Sequence, residues 1–163
     1  SAYAASADYF LKIEGVDGES TDDKHKGEIQ IESWSWGASN SGSMSMGSGG
    51  GAGKASFQDF HFSHKVDKSS PMLFQALATG EHLKQVALTV RKSGGEQTVY
   101  LTYTFTDVMV SSLSASGNSS DPAPTEQISL NFAKIEMEYK PMNAAGTVDT
   151  PVKASWDLKA NTK

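Results

Sequence analysis

The chain has 163 residues, a length typical of one domain, so we expect residues 1–163 to fold as a single unit. With 14 Lys and Arg against 19 Asp and Glu, its net charge of -5 disfavours nucleic acid as a partner, and no apolar run is long enough for membrane insertion. The absence of cysteine excludes disulfides, thiolate metal sites and a cysteine nucleophile.

Segments that alternate apolar and polar residues recur along the chain between turn signals. In chain order they cover residues 8–13, 28–36, 56–66, 85–92, 97–113, 126–139 and 152–160. This repeated period of two predicts an all-β fold. The alternation changes phase between Ile31 and Trp34, and again between Phe132 and Ile135. Each change predicts a bulge or bend, which a sheet needs in order to curl into a barrel or pass between two packed sheets.

The sequence WSWG, Trp34 to Gly37, lies at the end of the second predicted strand. On a strand the two tryptophans point to one face and Ser35 points to the other. Because two tryptophans at this spacing are most often core residues, Ser35 is predicted to lie on the outer surface. If that surface lined a lumen, its small hydroxyl group would be suited to contact cargo.

A Gly-rich segment, Gly37 to Gly53, follows and holds seven of the fifteen glycines of the chain. Its end, MGSGGGAGKAS, nearly matches a phosphate-binding loop, but Ser48 replaces the first glycine and Ala55 replaces the metal-binding hydroxyl. The residues that follow have a strand period, whereas a phosphate loop must open a helix. Two interpretations stay open: a solvent-exposed hairpin tip, or an arm that reaches another subunit through Met44 and Met46.

One helix is predicted, over the sequence SSPMLFQALATG from Ser69 to Gly80. A serine serves as its N-cap, Pro71 takes the first helical position, and the final glycine stops it. Leu73, Phe74 and Leu77 are predicted to lie on one face. We therefore expect the helix to cover one opening or face of the barrel.

Two connections complete the predicted fold. Gly94 and Gly95 join two strong strand segments, which indicates a hairpin. The segment from Ser114 to Glu126 is predicted to be a polar loop that Pro122 and Pro124 keep extended.

No pattern of polar residues indicates an active site. His61 and His64 are three residues apart on a predicted strand, so they point to opposite faces and cannot share a metal. The acidic segment 17–28 lacks the residue order of a calcium loop and is predicted to be solvated. No Gly-x-Ser-x-Gly motif is present, although a catalytic triad built from distant residues stays open. We therefore predict that the chain is not an enzyme and that it has no catalytic residues, cofactor or metal.

Five segments, in order, resemble the haemolysin-coregulated protein (Hcp) family of bacterial type VI secretion systems. They are FLKIEGVDGESTD, WSWGASNSGSMSMGSGGGAGKASFQDF, VRKSGGEQ, SLNFAKIEMEY and PVKASWDLKAN. The resemblance runs from about Asp8 to Lys163. It implies a two-sheet antiparallel β-barrel with a single flanking α-helix and a long Gly-rich extended loop, in agreement with the all-β prediction above.

The resemblance also implies a function. A homohexamer would form a ring, and stacked rings would form an inner tube that is expelled with a VgrG-type spike by a contractile sheath. Ser35 would face the lumen and contact small effector proteins. The ring-stacking loop would consist of Ser43, Met44, Ser45, Met46, Gly47, Gly49, Gly50 and Gly51.

The family's export needs no signal peptide, which agrees with an N-terminus that lacks a basic and an apolar region. We expect a cytoplasmic protein that becomes secreted when the system fires. A different class stays open: a monomeric β-barrel that binds a small ligand in its interior.

Overall fold

The structure is a computed structural model that describes residues 6–42, 54–94 and 96–163. These residues form mainly β-structure with one helix, as the alternation predicted. The strands are β1 (Ala7–Ile13), β2 (Ile29–Ile31), β3 (Ser33–Ser35), β4 (Ala38–Asn40), β5 (Ala55–Phe57), β6 (Phe60–Lys65), β7 (His82–Lys92), β8 (Val99–Asn118), β9 (Asp121–Tyr139) and β10 (Val152–Asp157), and the helix is α1 (Ser69–Thr79).

The main sheet is antiparallel and nearly closed into a barrel. Its strand order is β2-β1-β7-β8-β9-β6-β3, with β10 also paired to β9. Strands β2 and β3 stand at opposite ends of this order, yet only Glu32 separates them in the chain. Strand β2 pairs with β1, β3 pairs with β6, and the N–H of Glu32 donates to the carbonyl oxygen of Ser63 at 2.8 Å. The first predicted phase change, at Glu32, is therefore the point at which the chain passes from one end of the sheet to the other and so closes the barrel.

The second phase change is a bend shared by β8 and β9. Buried Phe105 lies opposite Ile135, and buried Val108 lies opposite Phe132, so both strands change phase at the same level. Between the two buried positions of β8, Asp107 has a φ of 54°. Strand β9 pairs with β10 on one side of the bend and with β6 on the other, whereas the pairing of β8 with β7 runs through the bend and ends at Met109.

The barrel interior is filled by aromatic and aliphatic side chains. Phe60, Leu88 and Phe105 are each 0% exposed, and the ring of Phe105 lies 4.8 Å from the rings of both Phe60 and Phe132, centroid to centroid. Burial of one such side chain contributes about 1.5–3 kcal/mol to folding. At these positions the small barrel has a packed core.

Helix α1 packs on the barrel through Leu73 and Ala76, which are buried. The prediction that Phe74 lies on the same face is wrong, because its side chain is 62% exposed. Consecutive helical residues are rotated by roughly 100°, so the neighbour of a fully buried residue leaves the packed face.

The ends of the helix agree only partly with prediction. Gly80 ends it with a left-handed φ of 70°, as expected. The helix begins at Ser69, two residues before Pro71, and Lys68 at the N-cap makes no side-chain hydrogen bond. The carboxylate of Asp67 instead accepts the N–H of Ser69 at 2.8 Å.

Two hairpins connect the long strands. The predicted hairpin between β7 and β8 is present, with the N–H of Lys92 donating to the carbonyl oxygen of Thr98 at 3.1 Å. The prediction of a polar loop from Ser114 to Glu126 is wrong, because β8 and β9 continue through it to a turn between Asn118 and Asp121. Prolines are tolerated at strand edges and irregularities, and the pairing of β8 with β9 shifts register in this region.

The acidic segment 17–28 agrees only partly with the prediction of a solvated loop: Asp17, Glu19 and Asp23 are exposed, but part of the segment packs against the outer face of the barrel. His25 within it is buried and stacks on the ring of Phe10, with 4.3 Å between ring centroids. The guanidinium of Arg91 lies over the same ring, 4.7 Å from its centroid, and hydrogen-bonds to Asp22. These residues form a small cluster outside the barrel core. Alternation alone could not show it, because both faces of β1 are covered.

Helix α1, the one helix within the described ranges, is neither long nor apolar enough to cross a membrane.

Candidate functional site

Ser35 lies exposed on strand β3, on the opposite side from the two tryptophans that flank it. The rings of Trp34 and Trp36 each lie 5.5 Å from the ring of Tyr103, centroid to centroid, and both tryptophans pack on the barrel core. The side-chain geometry predicted for WSWG is therefore found. The role of Ser35 in contacting cargo stays a prediction.

Cross-strand pairing places Ser35 in a polar surface that spans four strands. Residues paired directly across antiparallel strands share a face of the sheet. The first row runs across β3, β6, β9 and β8 as Ser35, His61, Ser129 and Ser112. The second row runs across the same strands as Ser33, Ser63, Gln127 and Ser114. We call these eight residues the serine face; they line a shallow depression of about 480 Å³.

Four of the eight side chains of the serine face are occupied by hydrogen bonds within the chain. Nδ1 of His61 lies 2.6 Å from Oγ of Ser129, and Oγ of Ser33 lies 2.5 Å from Oγ of Ser63. The remaining four side chains make no side-chain hydrogen bond to any other described residue; they are Ser35, Ser112, Ser114 and Gln127. The groups that can still bond a ligand thus lie on β3 at one edge, and on β8 and β9 toward the other.

The serine face carries no carboxylate, ammonium or guanidinium group. Charged side chains at two sides of the serine face are engaged within the chain. Nζ of Lys65 lies 2.9 Å from a carboxylate oxygen of Asp121, and this bond raises the pKa of Lys65. The pKa of Asp121 is lowered, first by the backbone N–H of Ala123 and then by Lys65. At the other side, the carboxylate of Asp59 accepts hydrogen bonds from Ser111 and Asn131.

Both flanks of the serine face are strand edges. Strand β3 ends the sheet order, so its outer edge has no strand partner among the described residues. Strand β8 pairs with β7 only as far as Met109. Over residues 110–118 this edge of β8 therefore also has no strand partner among the described residues. Unpaired edges present N–H and C=O groups in a row, ready to pair with another strand. The four-stranded surface can thus be continued at both sides.

The histidines do not assemble a catalytic or metal site within the described ranges. His61 is exposed on the serine face, whereas His64 is fully buried with Nε2 2.8 Å from a carboxylate oxygen of Glu126, so the two point to opposite faces as predicted. The His61–Ser129 pair resembles part of a triad, but no carboxylate of a described residue bonds the imidazole of His61. Over the same residues, no three potential metal ligands of the His, Cys, Asp and Glu types come together.

The predicted ring-stacking loop lies outside the described residues. This applies to Ser43, Met44, Ser45, Met46, Gly47, Gly49, Gly50 and Gly51. The described ends of the Gly-rich segment are paired, because Ala38 to Asn40 and Ala55 to Phe57 form the separate two-stranded sheet of β4 and β5. The segment therefore begins as a hairpin stem.

Sequence reasoning identified one residue of the serine face and missed its partners. A signal was present in the sequence SSLSAS, residues 111–116, where serines alternate with Leu113 and Ala115. Such alternation indicates a strand with a small polar face. It could not show that this face adjoins Ser35, because β3 and β8 are far apart in the chain and meet only through β6 and β9.

Comparison with known proteins finds consistent similarities. Residues 10–139 match the family described as "Type VI secretion system effector, Hcp". The chain is 49% identical over 158 residues to "Protein hcp1" of Pseudomonas aeruginosa, covering 96% of this chain and 98% of that protein. The solved structure of a type six secretion system protein superposes with a TM-score of 0.89 at 31% identity, covering 96% and 99% of the two chains. The crystal structure of Hcp1 from Salmonella typhimurium gives a TM-score of 0.79 at 39% identity, with 96% and 98% covered.

Proposed function

The chain belongs to the Hcp family of type VI secretion system proteins, and from this premise we propose that it is a structural subunit of the secretion tube. In this proposal six copies close into a ring, the serine face lines the central channel, and stacked rings form the tube. The lumen carries small effector proteins, which Ser35 contacts, and the tube is expelled with them.

One observation carries the proposal: the serine face is polar, uncharged and bounded by two strand edges without strand partners among the described residues. If β3 of one copy lies beside the far part of β8 of the next, the four-stranded surfaces continue from copy to copy. A head-to-tail contact of this kind closes into a ring when the rotation per copy is fixed. Closure also buries edges that would otherwise promote aggregation.

The other parts of the proposal come from the family. The partners would be stacked rings of the same protein, a VgrG-type spike and a contractile sheath, with residues 43–53 in the stacking contact. Residues 1–163 would act as a single domain without catalytic activity. The protein would be cytoplasmic before firing and secreted afterwards without a signal peptide.

A monomeric barrel that binds a small ligand is less well supported. Such a binder needs an open interior. At the centre of this barrel Phe60, Leu88 and Phe105 are each 0% exposed and in close contact with their neighbours.

The native mass of the full chain tests the proposal, measured by light scattering behind a sizing column, with negative-stain images of the peak. We expect a hexamer with a central hole. A monomer over a wide concentration range would contradict the proposal and favour the ligand-binding barrel.

A disulfide ladder tests which edges meet. Because the chain has no cysteine, the double variant Ser35→Cys, Ser112→Cys introduces the only thiols. Three strand spacings of about 4.8 Å separate these positions within one copy, which is too far for an intramolecular disulfide. Oxidation should yield covalent oligomers up to the hexamer, whereas each single variant should yield dimers at most. A monomer band alone would contradict pairing of β3 with β8.

A further inference from the structure

Resting on the proposed ring, we propose that effectors bind at a composite site across each boundary between two copies. One copy contributes Ser112, Ser114 and Gln127, and its neighbour contributes Ser35. The ligand class is a folded protein with a polar, uncharged contact surface.

The distribution of available hydrogen-bonding groups carries this inference. Within one copy four of the eight side chains of the serine face bond to one another, Ser33 to Ser63 and His61 to Ser129. The available groups form two separate sets, with Ser35 on β3 at one edge, and Ser112 and Ser114 on β8 with Gln127 on the adjoining β9 toward the other. Within a copy two strands separate these edges, so a single copy presents two incomplete halves of a site.

Edge pairing would unite the two halves. When β3 pairs with β8 of the preceding copy, the two strands lie about 4.8 Å apart, so Ser35 would stand next to the part of β8 that carries Ser112 and Ser114. Ser114 pairs directly with Gln127 and adds an amide to the hydroxyl groups. The combined site offers several donors and acceptors within the area that one polar loop or helix end of a cargo protein covers.

The chemistry of the contact follows from the absence of charge on the serine face. Hydroxyl and amide groups bond peptide groups and neutral side chains without requiring a counter-ion. Salt screens interactions between exposed charges and affects neutral hydrogen bonds little. Retention of cargo should therefore be nearly independent of ionic strength.

Mixed rings test the composite site. The probe is a panel of small type VI effector proteins of Pseudomonas aeruginosa, the organism of the 49% identical relative. Rings made only of Ser35→Ala copies, or only of Ser112→Ala, Ser114→Ala copies, should bind the effectors about fivefold to tenfold more weakly than rings of the unmodified chain. Co-assembled rings of both variants should recover binding, because some boundaries then combine an intact β8 side with an intact β3 side.

The matched control is the double variant Ser33→Ala, Ser63→Ala, which removes two hydroxyl groups from the same face, as the Ser112→Ala, Ser114→Ala variant does. These two hydroxyls bond each other, so we expect a change of less than about twofold. Raising NaCl from about 0.05 to 0.5 M should likewise change the affinity less than about twofold.

The outcomes separate the two proposals. A monomeric chain overturns the ring itself. Intact rings that bind none of the effectors, variant rings that bind as tightly as unmodified rings, or mixed rings without recovery overturn the composite site and leave the ring standing. Strong weakening by salt overturns the neutral chemistry of the contact.

Discussion

Arg91 donates hydrogen bonds to both carboxylate oxygens of Asp22, at 2.9 and 2.5 Å, and so holds the 17–28 segment against the outside of the barrel. The same guanidinium bonds Asp8 on β1 at 3.3 Å. Arg91 is only 3% exposed although it lies outside the main core. Asp22 of this segment is thus part of a packed cluster whose strength depends on the ionisation of its carboxylate.

Asp22→Asn should reduce the dependence of stability on acid pH. The hydrogen bond from Arg91 lowers the pKa of Asp22 from 3.8 to about 2 in the folded protein. A lowered folded pKa contributes stability that is present above the unfolded value and is lost as pH falls toward 2. We expect the thermal midpoint of the unmodified chain to fall between pH 6 and pH 3. The variant should have a lower thermal midpoint at pH 6, and that midpoint should fall less between pH 6 and pH 3.

Asp23→Asn is the matched control, because Asp23 is the exposed neighbour in the same segment. Asp23→Asn should have the same thermal midpoint at pH 6 as the unmodified chain, and its midpoint should fall by the same amount between pH 6 and pH 3. Identical pH profiles for Asp22→Asn and the unmodified chain would show that the pair with Arg91 does not couple ionisation to folding.

Glu126→Ala should destabilise the fold by about 3 kcal/mol, measured by urea unfolding. Both members of the His64–Glu126 pair are buried, with 0% and 4% of the side chains exposed, and their nitrogen and oxygen lie 2.8 Å apart. Loss of the carboxylate leaves the imidazole buried without that partner. Glu126→Gln should cost less than half as much, because its amide oxygen still accepts a hydrogen bond. Equal losses in the two variants would contradict this reasoning.

Gly18→Ala should destabilise the fold by roughly 1–3 kcal/mol. A Cβ at this position would lie 2.6 Å from the carbonyl oxygen of Glu28 and 2.7 Å from Cα of Ile29, and these backbone atoms cannot move aside at low cost. At Gly117 a Cβ would meet no atom within 4 Å. Gly117→Ala should therefore change the free energy of unfolding by less than about 0.5 kcal/mol. Thermal unfolding of both variants checks the contrast, and similar midpoints would contradict it.

Leu73→Ala and Phe74→Ala, at adjacent positions of α1, should differ widely in how much stability they cost. Leu73 is 0% exposed, so its truncation leaves a cavity and should cost about 2–5 kcal/mol. Phe74 is 62% exposed, so its truncation should cost less than about 1 kcal/mol. Chemical unfolding of the two variants under the same conditions measures both losses in the free energy of unfolding. A larger loss for Phe74→Ala would mean that its ring is covered in the protein in solution.

The sequence by itself determined the kind of fold and the position of its bends. Alternation located the strands, and the two phase changes located the closure at Glu32 and the shared bend of β8 and β9. These features could be predicted because side-chain period and chirality are local properties of a strand or helix. The same reasoning oriented Ser35 away from Trp34 and Trp36.

Only the tertiary structure decided which residues stand together. Ser35 and Ser112 share a row, and Asp22 meets Arg91, through pairings between strands and segments far apart in the chain. Local pattern also misjudged Phe74 and the 114–126 segment, where burial on one helix face and pairing of two long strands overrode composition. Register and packing depend on contacts between distant residues, and a local periodicity does not contain that information.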